Sequence, residues 1–279
     1  MEPITDSAET IVRNSGSNLA FALAVLPPDR RRDMRIFYAF CRVVDDLADD
    51  PGISSEDRRA GLSRWRRLSR GEESDPLPGV ESEWLELCES RELNQDDVEA
   101  IIDGVEMDLN PQPFETAEDL KRYCFHVASA VGLVSIDLFG CQDPGSRVYA
   151  EQLGYALQWT NIMRDVGEDA KEGRIFLPRE DLAHYSLTEE SILSRRPDPV
   201  CFRQLMLREA ERAWHFYDEA IAALPEVDRR ALRSAELMRR IYSGILRRME
   251  EGDFQVFDHR YRLSKTRMLG EFLRAKWFG

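Results

Sequence analysis

Two segments far apart in the chain each carry a pair of aspartates four residues apart. The first pair, in "CRVVDDLADD", is Asp45 and Asp49, and the second is Asp165 and Asp169. On a helix, residues four apart lie on the same face, so each pair presents two carboxylates together. Because like charges at this spacing repel by about 0.2–0.5 kcal/mol, a compensating cation is expected.

Either aspartate pair taken alone could simply be part of a solvent-exposed helix face. The protein is acidic, with a formal net charge of −14, and an isolated pair of this kind is most often a solvated helix face. The second segment weakens that explanation, because Gln158 and Asn161 precede Asp165 on the same stripe. Carboxylate and amide oxygens from two facing helices are hard ligands, which suit Mg²⁺.

A magnesium site of this kind would bind a diphosphate. In proteins Mg²⁺ takes one or two carboxylates and completes its shell with water and substrate phosphate oxygens. Such ions neutralise the charge of a diphosphate as it leaves an allylic carbon. The carbocation left behind needs a dry, aromatic-lined interior, since each ring face stabilises a cation by about 0.5–2 kcal/mol. The aromatic candidates are Phe21, Phe37, Phe40, Phe125, Trp159 and Tyr242, although each of them taken singly is more often an ordinary core residue.

Arginines accompany both acidic pairs. Arg42 precedes Asp45 by three residues, and Arg164 immediately precedes Asp165. Each guanidinium group could bind diphosphate or pair with the neighbouring carboxylates, and the sequence does not decide between the two roles. Solvation explains most of the densest basic run, Arg260–Arg267, although one of its members could hold phosphate.

The segments that carry these residues are helical by period and by capping signals. Helices are predicted over Arg35–Asp49 and over about Ser146–Ala170. Asn94 and Thr116 stand where helix N-caps are expected. No segment is predicted as a strand, and "RIFLP", at Arg174–Pro178, is predicted as a loop. The predicted fold class is therefore all-α.

Length, composition and charge limit the class of protein. With 279 residues, 43% of them hydrophobic, the chain can bury one large core. No run approaches the roughly 18 uncharged apolar residues of a membrane span. Five cysteines without a CxxC pair favour a reduced, cytoplasmic protein. The charge of −14 disfavours nucleic acid and tight docking on anionic lipid, so metal ions or a local basic patch must meet any anionic ligand.

Several stretches together resemble the squalene/phytoene synthase family of head-to-head prenyl transferases. They are "YAFCRVVDDLADD", "EMDLN", "YCFHVASAVGLVSIDLFG", "LQWTNIMRDVGEDAKEGRIFLP" and "IYSGILRRMEEGDFQVFDHR". The resemblance runs in order from about Ser15 to Lys276. It implies a single-domain isoprenoid-synthase helical bundle with a central cavity over residues 1–279, in which we expect residues 1–14 to be loosely ordered.

The resemblance also implies roles for individual residues. Asp45 and Asp49 match the first metal-binding motif, Asp165 and Asp169 match the second, and Asn161 is a further metal ligand. The four aspartates and Arg42 form the implied catalytic set. The implied substrate contacts are Tyr38, Arg42, Gln158, Asn161, Arg164, Tyr242, Arg260 and Phe125. The implied cofactor is Mg²⁺, as three ions with bound isoprenoid diphosphate.

Two aromatic residues depart from the family pattern. Phe176 stands where many members have tyrosine, and Phe125 stands where some do. A hydroxyl that could contact the leaving group is therefore absent at Phe176. The handling of protons and diphosphate, rather than the class of reaction, is affected.

Within the family, "VASAVG" and "RLSKTR" most resemble bacterial presqualene diphosphate synthases of the hopanoid route, which join two farnesyl diphosphates. The alternatives are phytoene synthesis from two geranylgeranyl diphosphates and complete squalene synthesis, which needs NADPH. The missing GxGxxG motif does not decide NADPH use in a helical protein. The expected location is the cytoplasm, with peripheral contact at the inner face of the membrane for the apolar product.

A non-enzyme alternative is an acidic helical scaffold that binds partners through its surface. It predicts that both aspartate stripes face solvent without metal. Under the metal-site hypothesis, Asp45→Asn or Asp165→Asn should lose turnover by orders of magnitude with little loss of stability, because repulsion is relieved.

Overall fold

The computed structural model describes residues 6–14, 24–50, 52–73, 75–264, 267–268 and 270–272, without the side chain of Asp49. Within these ranges all regular secondary structure is helical, which confirms the all-α class. The helices are α1 (Ala8–Asn14), α2 (Pro28–Asp49), α3 (Ser55–Ser69), α4 (Val80–Arg91), α5 (Gln95–Asp108), α6 (Ala117–Cys124), α7 (Ala130–Phe139), α8 (Gly145–Lys171), α9 (Arg179–His184), α10 (Glu189–Leu193), α11 (Pro199–Ala223) and α12 (Arg233–Glu251). A π-helical turn, Phe125–Ser129, joins α6 to α7.

The two helices that carry the acidic pairs are close to their predicted limits. Helix α8 exceeds the predicted Ser146–Ala170 by one residue at each end. Helix α2 ends at Asp49 as predicted but begins at Pro28, about two turns before Arg35. Proline is favoured in the first turn of a helix, where its missing N–H has no partner to lose.

The predicted caps and the predicted loop are confirmed. The side chain of Asn94 accepts hydrogen bonds from the N–H groups of Asp96 and Asp97 at the start of α5. Thr116 and Asp119 form a reciprocal capping box at the start of α6. Residues 174–178 form neither helix nor strand.

The chain begins with more order than the sequence indicates. Residues Ala8–Asn14, expected to be loosely ordered, form α1, which packs against α2. The N–H of Ala8 donates to Glu83 at 2.7 Å, and Ala8 is buried. These two contacts hold the segment, while residues 1–5 lie outside the described ranges.

Buried side chains form two clusters, one among α2–α5 and α7, the other around α8 and α11. In the first cluster Phe40 stacks on Trp84 with ring centroids 4.0 Å apart, and Phe37 lies 6.1 Å from the same ring. Phe37 and Phe40 are therefore core residues. The structure gives them no part in a cation-binding interior.

Trp159 also belongs to the core. Its indole N–H donates to the buried carboxylate of Glu209 at 2.9 Å, and its ring lies 5.5 Å from that of Phe216. Of the remaining aromatic candidates, Phe21 lies outside the described residues.

One continuous helical stretch of the described chain, Ala117–Phe139, is long and apolar enough by length and composition to cross a membrane. Half of its most apolar window is buried inside the fold. A core helix of a soluble protein has the same composition, and α7 contributes Leu133, Val134 and Leu138 to the two core clusters.

Candidate active site

A cavity of about 260 Å³ lies between α2, α7, α8 and α12, mostly lined by aliphatic side chains. Its lining residues include Met34, Phe139, Tyr149, Ser234 and Ala235, and also Gln158, Asn161 and Tyr242. From the helix directions described next, we assign the first group to one end, here called the floor, and the second group to the other end, the mouth. The central cavity implied by the family resemblance is therefore present. Its mouth carries three of the predicted substrate contacts.

Three helices of the cavity wall begin at the floor. Arg30, at the start of α2, donates to the carbonyl oxygen of Leu138 at the end of α7 (2.9 Å). Helix α8 begins beside the end of α7 because only residues 140–144 separate them. The hydroxyl of Tyr149 on α8 donates to Glu236 on α12 (3.0 Å). Helices α2, α8 and α12 therefore run from the floor in a common direction.

This common direction brings the two acidic motifs to the mouth. Asp45 follows Arg30 by 15 residues, and Asp165 follows Tyr149 by 16. At about 1.5 Å per residue, both aspartates lie about 22 to 24 Å along their helices from the floor. We infer that the two motifs are at the same end of the cavity.

Two arginines hold the first carboxylate of the second motif. Arg164 donates to both oxygens of Asp165, at 2.9 and 2.5 Å, and Arg260 does so at 2.7 and 2.8 Å. Burial works to raise the pKa of Asp165, but the hydrogen bonds from both guanidinium groups outweigh it and hold the pKa below its usual value. Asp165 is therefore charged at neutral pH.

Arg164 and Arg260 differ in how they are held. The side chain of Arg164 is only 12% exposed and is also hydrogen-bonded to Tyr242, whereas that of Arg260 is 43% exposed. Burial works to lower the pKa of Arg164, but its contacts with Asp165 and Tyr242 raise it. Both arginines thus face the carboxylate that the sequence predicts as a metal ligand.

Arg260 reaches α8 because the segment after α12 packs directly on that helix. A Cβ atom at Gly167 would lie 2.3 Å from the carbonyl oxygen of Val256, so only glycine permits this approach. The hydroxyl of buried Tyr261 donates to the carbonyl of Gly252 (3.0 Å). It accepts from the N–H of Gln255, also at 3.0 Å. These contacts set the position of Arg260.

Asp169, one turn after Asp165, has a different environment. It borders a small apolar space with Ile162, Val166 and Phe176. Burial, with further contributions from the charges of Asp165 and Glu172, raises the pKa of Asp169 to about 7. The second motif therefore combines one ionised carboxylate with one that titrates near neutral pH.

We expect ligand-free protein to lose stability as the pH rises toward 7. The pKa of Asp169 is raised from 3.8 to about 7, so its contribution to stability is complete below about pH 4 and is lost as the pH passes about 7. The Asp169→Asn variant should lack this part of the loss. The measurement is the melting temperature of both proteins between about pH 5 and pH 8 in a chelator.

Glu209, whose pKa burial also raises to about 7, contributes in the same direction in both proteins, so the difference between them isolates Asp169. Added Mg²⁺ should stabilise the wild type more at the higher pH, because a metal ligand must be deprotonated. Identical pH profiles of the melting temperature for wild type and Asp169→Asn would contradict the raised pKa of Asp169.

Asn161 carries a free acceptor at the mouth. Its Oδ1 atom is buried and has no hydrogen-bond partner among the described residues, while its Nδ2 donates to Gln158 at 3.4 Å. An unpaired buried acceptor is costly and usually marks a missing ligand, water or ion. Its position on the stripe that leads to Asp165 suits an amide ligand of a hard cation.

The first acidic motif is more exposed. Arg42 donates to Asp45 at 3.4 Å and to Asp46 at 3.1 Å, and all three side chains are about half exposed. Both arginines for which the sequence left two roles open, Arg42 and Arg164, are therefore paired with carboxylates here. The side chain of Asp49 lies outside the described residues. Asp46 is a member of this cluster for which no role was predicted.

Tyr38 is half-buried on α2, one turn after Met34 of the floor and on the same face. Tyr38 is not among the residues that line the cavity. Phe125 is partly buried against both core clusters and meets His126 edge-on, with ring centroids 5.5 Å apart. Phe125 does not line the cavity.

Phe176 lies in a separate aromatic group. Its ring centroid is 6.0 Å from that of Phe114 and 5.7 Å from that of Tyr123. These rings line a larger cavity of about 450 Å³, between residues 107–114 and 173–177. We place the reaction in the smaller cavity because Gln158, Asn161 and Tyr242 line it.

Two features of the site escaped the sequence analysis. Gly167 and Tyr261 position Arg260, yet no local pattern in the sequence marks the segment that each one contacts. The one sequence signal for the close approach of the segment after α12 to α8 is a glycine, Gly167, between the two aspartates of α8.

A family model for squalene/phytoene synthase matches residues 12–267. The chain belongs to the squalene/phytoene synthase family. This protein is therefore an enzyme. It is a transferase of the class that joins prenyl diphosphates head to head. The family uses Mg²⁺ with its diphosphate substrates.

Three similar proteins illustrate the relationship. A presqualene diphosphate synthase of Zymomonas mobilis is 36% identical, over 99% of this chain and 94% of that protein. A chloroplastic phytoene synthase of Daucus carota is 32% identical, over 88% of this chain and 63% of that protein. The crystal structure of a dehydrosqualene synthase in complex with ligand has a TM-score of 0.80 at 25% identity, covering 97% of this chain and 94% of that one. The predicted isoprenoid-synthase fold is confirmed.

The donor types at the mouth fit magnesium. The described donors are the carboxylates of Asp45, Asp165 and Asp169 and the unpaired amide oxygen of Asn161. Among side chains that the structure describes, no three from His, Cys, Asp and Glu are grouped closely enough to hold a metal ion. Arg164 and Arg260 donate to both oxygens of Asp165, so a metal ion bound by that carboxylate would share it or compete with them.

Proposed function

We propose that this enzyme condenses two farnesyl diphosphates head to head to presqualene diphosphate. The observation that carries the proposal is the 36% identity to a presqualene diphosphate synthase over nearly the full length of both chains. The match to a phytoene synthase is of similar identity, but this chain spans only 63% of that protein. The apolar cavity, polar only at its mouth, suits a prenyl chain with a charged head group.

The mouth would bind the head groups. Asp45, Asp49, Asp165, Asp169 and Asn161 would hold three Mg²⁺ ions, which supply positive charge against the departing diphosphate. Arg164 and Arg260 carry fixed positive charge at the same place and can exchange Asp165 for phosphate oxygens. Arg42 can do the same from α2.

The cavity wall would protect the cation. One farnesyl diphosphate loses its diphosphate, and its C1 bonds to the double bond of the second substrate. Loss of one proton closes the cyclopropane ring, and the product keeps the second diphosphate. The walls of the cavity offer Leu153 and Leu157 but few polar groups, so water is excluded from the cation.

The decisive experiment incubates purified protein and Mg²⁺ with farnesyl or geranylgeranyl diphosphate, with and without NADPH, and identifies the product by mass. We expect a C30 cyclopropylcarbinyl diphosphate from farnesyl diphosphate, independent of NADPH. Phytoene from the C20 substrate, or squalene formed only with NADPH, would replace this proposal by the corresponding alternative.

The scaffold alternative is tested separately. A non-hydrolysable prenyl diphosphate analogue should raise the melting temperature in Mg²⁺ but not in a chelator, because ligands that bind only the folded state stabilise it. A scaffold without a metal site would show no Mg²⁺-dependent shift.

A further inference from the structure

Helix α12 has a second face that takes no part in the cavity. Met238 and Tyr242 of α12 line the cavity. Because each residue turns an α-helix by about 100°, Arg240, Gly244 and Arg247 lie on roughly the opposite side of α12. A ligand bound at these three residues would therefore be separate from the substrate in the cavity.

A groove of about 430 Å³ lies on this outer face, between α12 and the C-terminal segment. Leu263 packs on Gly244, with its side-chain carbons 3.4 Å from the position that a Cβ atom would take, and both residues line the groove. The described lining contains a single acidic residue, Glu271, and four arginines, which are Arg239, Arg240, Arg247 and Arg267. The groove is thus predominantly basic.

Carboxylates neutralise only part of this positive charge. Glu236 accepts two hydrogen bonds from Arg239, at 2.7 and 2.9 Å, and an oxygen of Glu271 lies 3.9 Å from a guanidinium nitrogen of Arg240. Neither Arg247 nor Arg267 forms an ion pair with a carboxylate of the described residues. Two positive charges therefore remain in the groove, in a protein whose formal net charge is −14.

Arg247 is held in place by an aromatic ring and not by an acid. Its guanidinium carbon lies 5.8 Å from the centroid of the Trp214 ring. The indole N–H of Trp214 donates to Glu250 at 3.1 Å, which fixes the ring. Because a guanidinium group that lies over an aromatic face keeps its N–H donors in its own plane, Arg247 is oriented and can still bind an anion.

We propose that this groove binds a phosphate-bearing anion through Arg240, Arg247 and Arg267. Guanidinium groups match phosphate oxygens with paired, charge-assisted hydrogen bonds, and three of them can surround one phosphate group. The proposal does not rest on the proposed function, because the groove and the cavity lie on opposite faces of α12. Two sources present this group, free diphosphate and the head group of an anionic lipid.

The test compares wild type with the double variant Arg247→Gln/Arg267→Gln against both sources. Calorimetry in a chelator measures binding of inorganic diphosphate, and any binding by the arginines of the mouth is common to both proteins. Cosedimentation measures binding to phosphatidylglycerol vesicles, with neutral phosphatidylcholine vesicles as the reference. For the true source, the double variant should lose one binding site or bind about tenfold more weakly or worse, because charge-assisted hydrogen bonds are lost.

Two further variants control for charge and for folding. Arg262 is exposed in the same segment but does not line the groove, so Arg262→Gln should stay within about twofold of wild type. Ser243→Asp keeps all the arginines and places a carboxylate in the groove. It should reproduce the loss seen in the double variant, and it serves as the test if the double variant fails to fold.

Loss of diphosphate binding identifies a free anion as the ligand, and loss of binding to anionic vesicles identifies a lipid head group. Binding of both probes unchanged in the folded variants overturns the proposal, and so does an equal loss in Arg262→Gln, which would show diffuse attraction. Turnover of the double variant should stay within about twofold of wild type, and a larger fall would assign these arginines to the reaction mouth and overturn a separate site. If wild type condenses no prenyl diphosphate, the proposed function fails while both binding measurements still decide the groove.

Discussion

Asp165→Asn is expected to lower kcat by about three orders of magnitude, equivalent to roughly 4 kcal/mol of transition-state stabilisation. Asp165 stands at the mouth of the cavity, on the stripe shared with Asn161, and its two oxygens are the best-held carboxylate oxygens of the second motif. An amide in its place keeps the shape but loses the charge that a divalent ion requires. Single-turnover kinetics with farnesyl diphosphate and Mg²⁺ measure the effect.

The same variant should also be less stable, contrary to the expectation from sequence. The sequence-based expectation considered only the repulsion between Asp165 and the neighbouring carboxylate, which the amide would relieve. In the structure it neutralises Arg164, whose side chain is 12% exposed, together with Arg260. Loss of this charge should lower the free energy of unfolding by about 1–3 kcal/mol, measured by urea denaturation.

The matched control is Glu168→Gln on the same helix. Glu168 is 54% exposed and pairs only with Lys171, at 2.7 Å, among the described contacts. Its loss should change neither turnover nor stability measurably, because exposed pairs contribute about 0–1 kcal/mol. Wild-type turnover by Asp165→Asn would exclude Asp165 from the metal site, and unchanged stability would show that its arginine pairs contribute nothing.

Gly167→Ala is expected to reduce both stability and activity, although it adds only one methyl group and removes no polar or charged group. The new Cβ would lie 2.3 Å from the carbonyl oxygen of Val256 and 2.9 Å from the Cα of Phe257, and backbone atoms cannot rotate away. The segment must move off α8 and carry Arg260 from Asp165. Overpacking of this kind costs about 1–3 kcal/mol, and we expect kcat/KM to fall by about tenfold or more.

Gly244→Ala provides the comparison for this variant. It adds the same methyl group to a neighbouring helix, α12, where the nearest atoms are the side-chain carbons of Leu263 at 3.4 Å, an ordinary contact. Because alanine is a better helix former than glycine, Gly244→Ala should be neutral or slightly stabilising. The measurements are the melting temperature and kcat/KM of both variants. Equal behaviour of the two would show that the approach at Gly167 does not position Arg260.

Local signals in the sequence were sufficient for most of the fold. The apolar period of α2 and α8 and the side-chain caps at Asn94 and Thr116 depend on residues within about one or two helical turns of each other. No local signal in the sequence predicts the first helix, because α1 is held by the distant Glu83 and by packing on α2. The sequence also left open which aromatic candidates face a cavity, because Phe37, Phe40 and Trp159 have the same helical period whether they face a core or a cavity; all three lie in the core.

For the candidate site, the sequence identifies the residues that share a helix face, whereas the partners of those residues are known only from the tertiary structure. The sequence by itself determined that Asp45 and Asp49, and likewise Asp165 and Asp169, share a helix face, since residues four apart on any α-helix do so. Only the tertiary structure decided that Arg260, 95 residues after Asp165, neutralises it, and that Tyr242 lines the same cavity as Gln158 and Asn161. Those contacts join segments distant in the chain, and their geometry follows from helix packing, which no local spacing encodes.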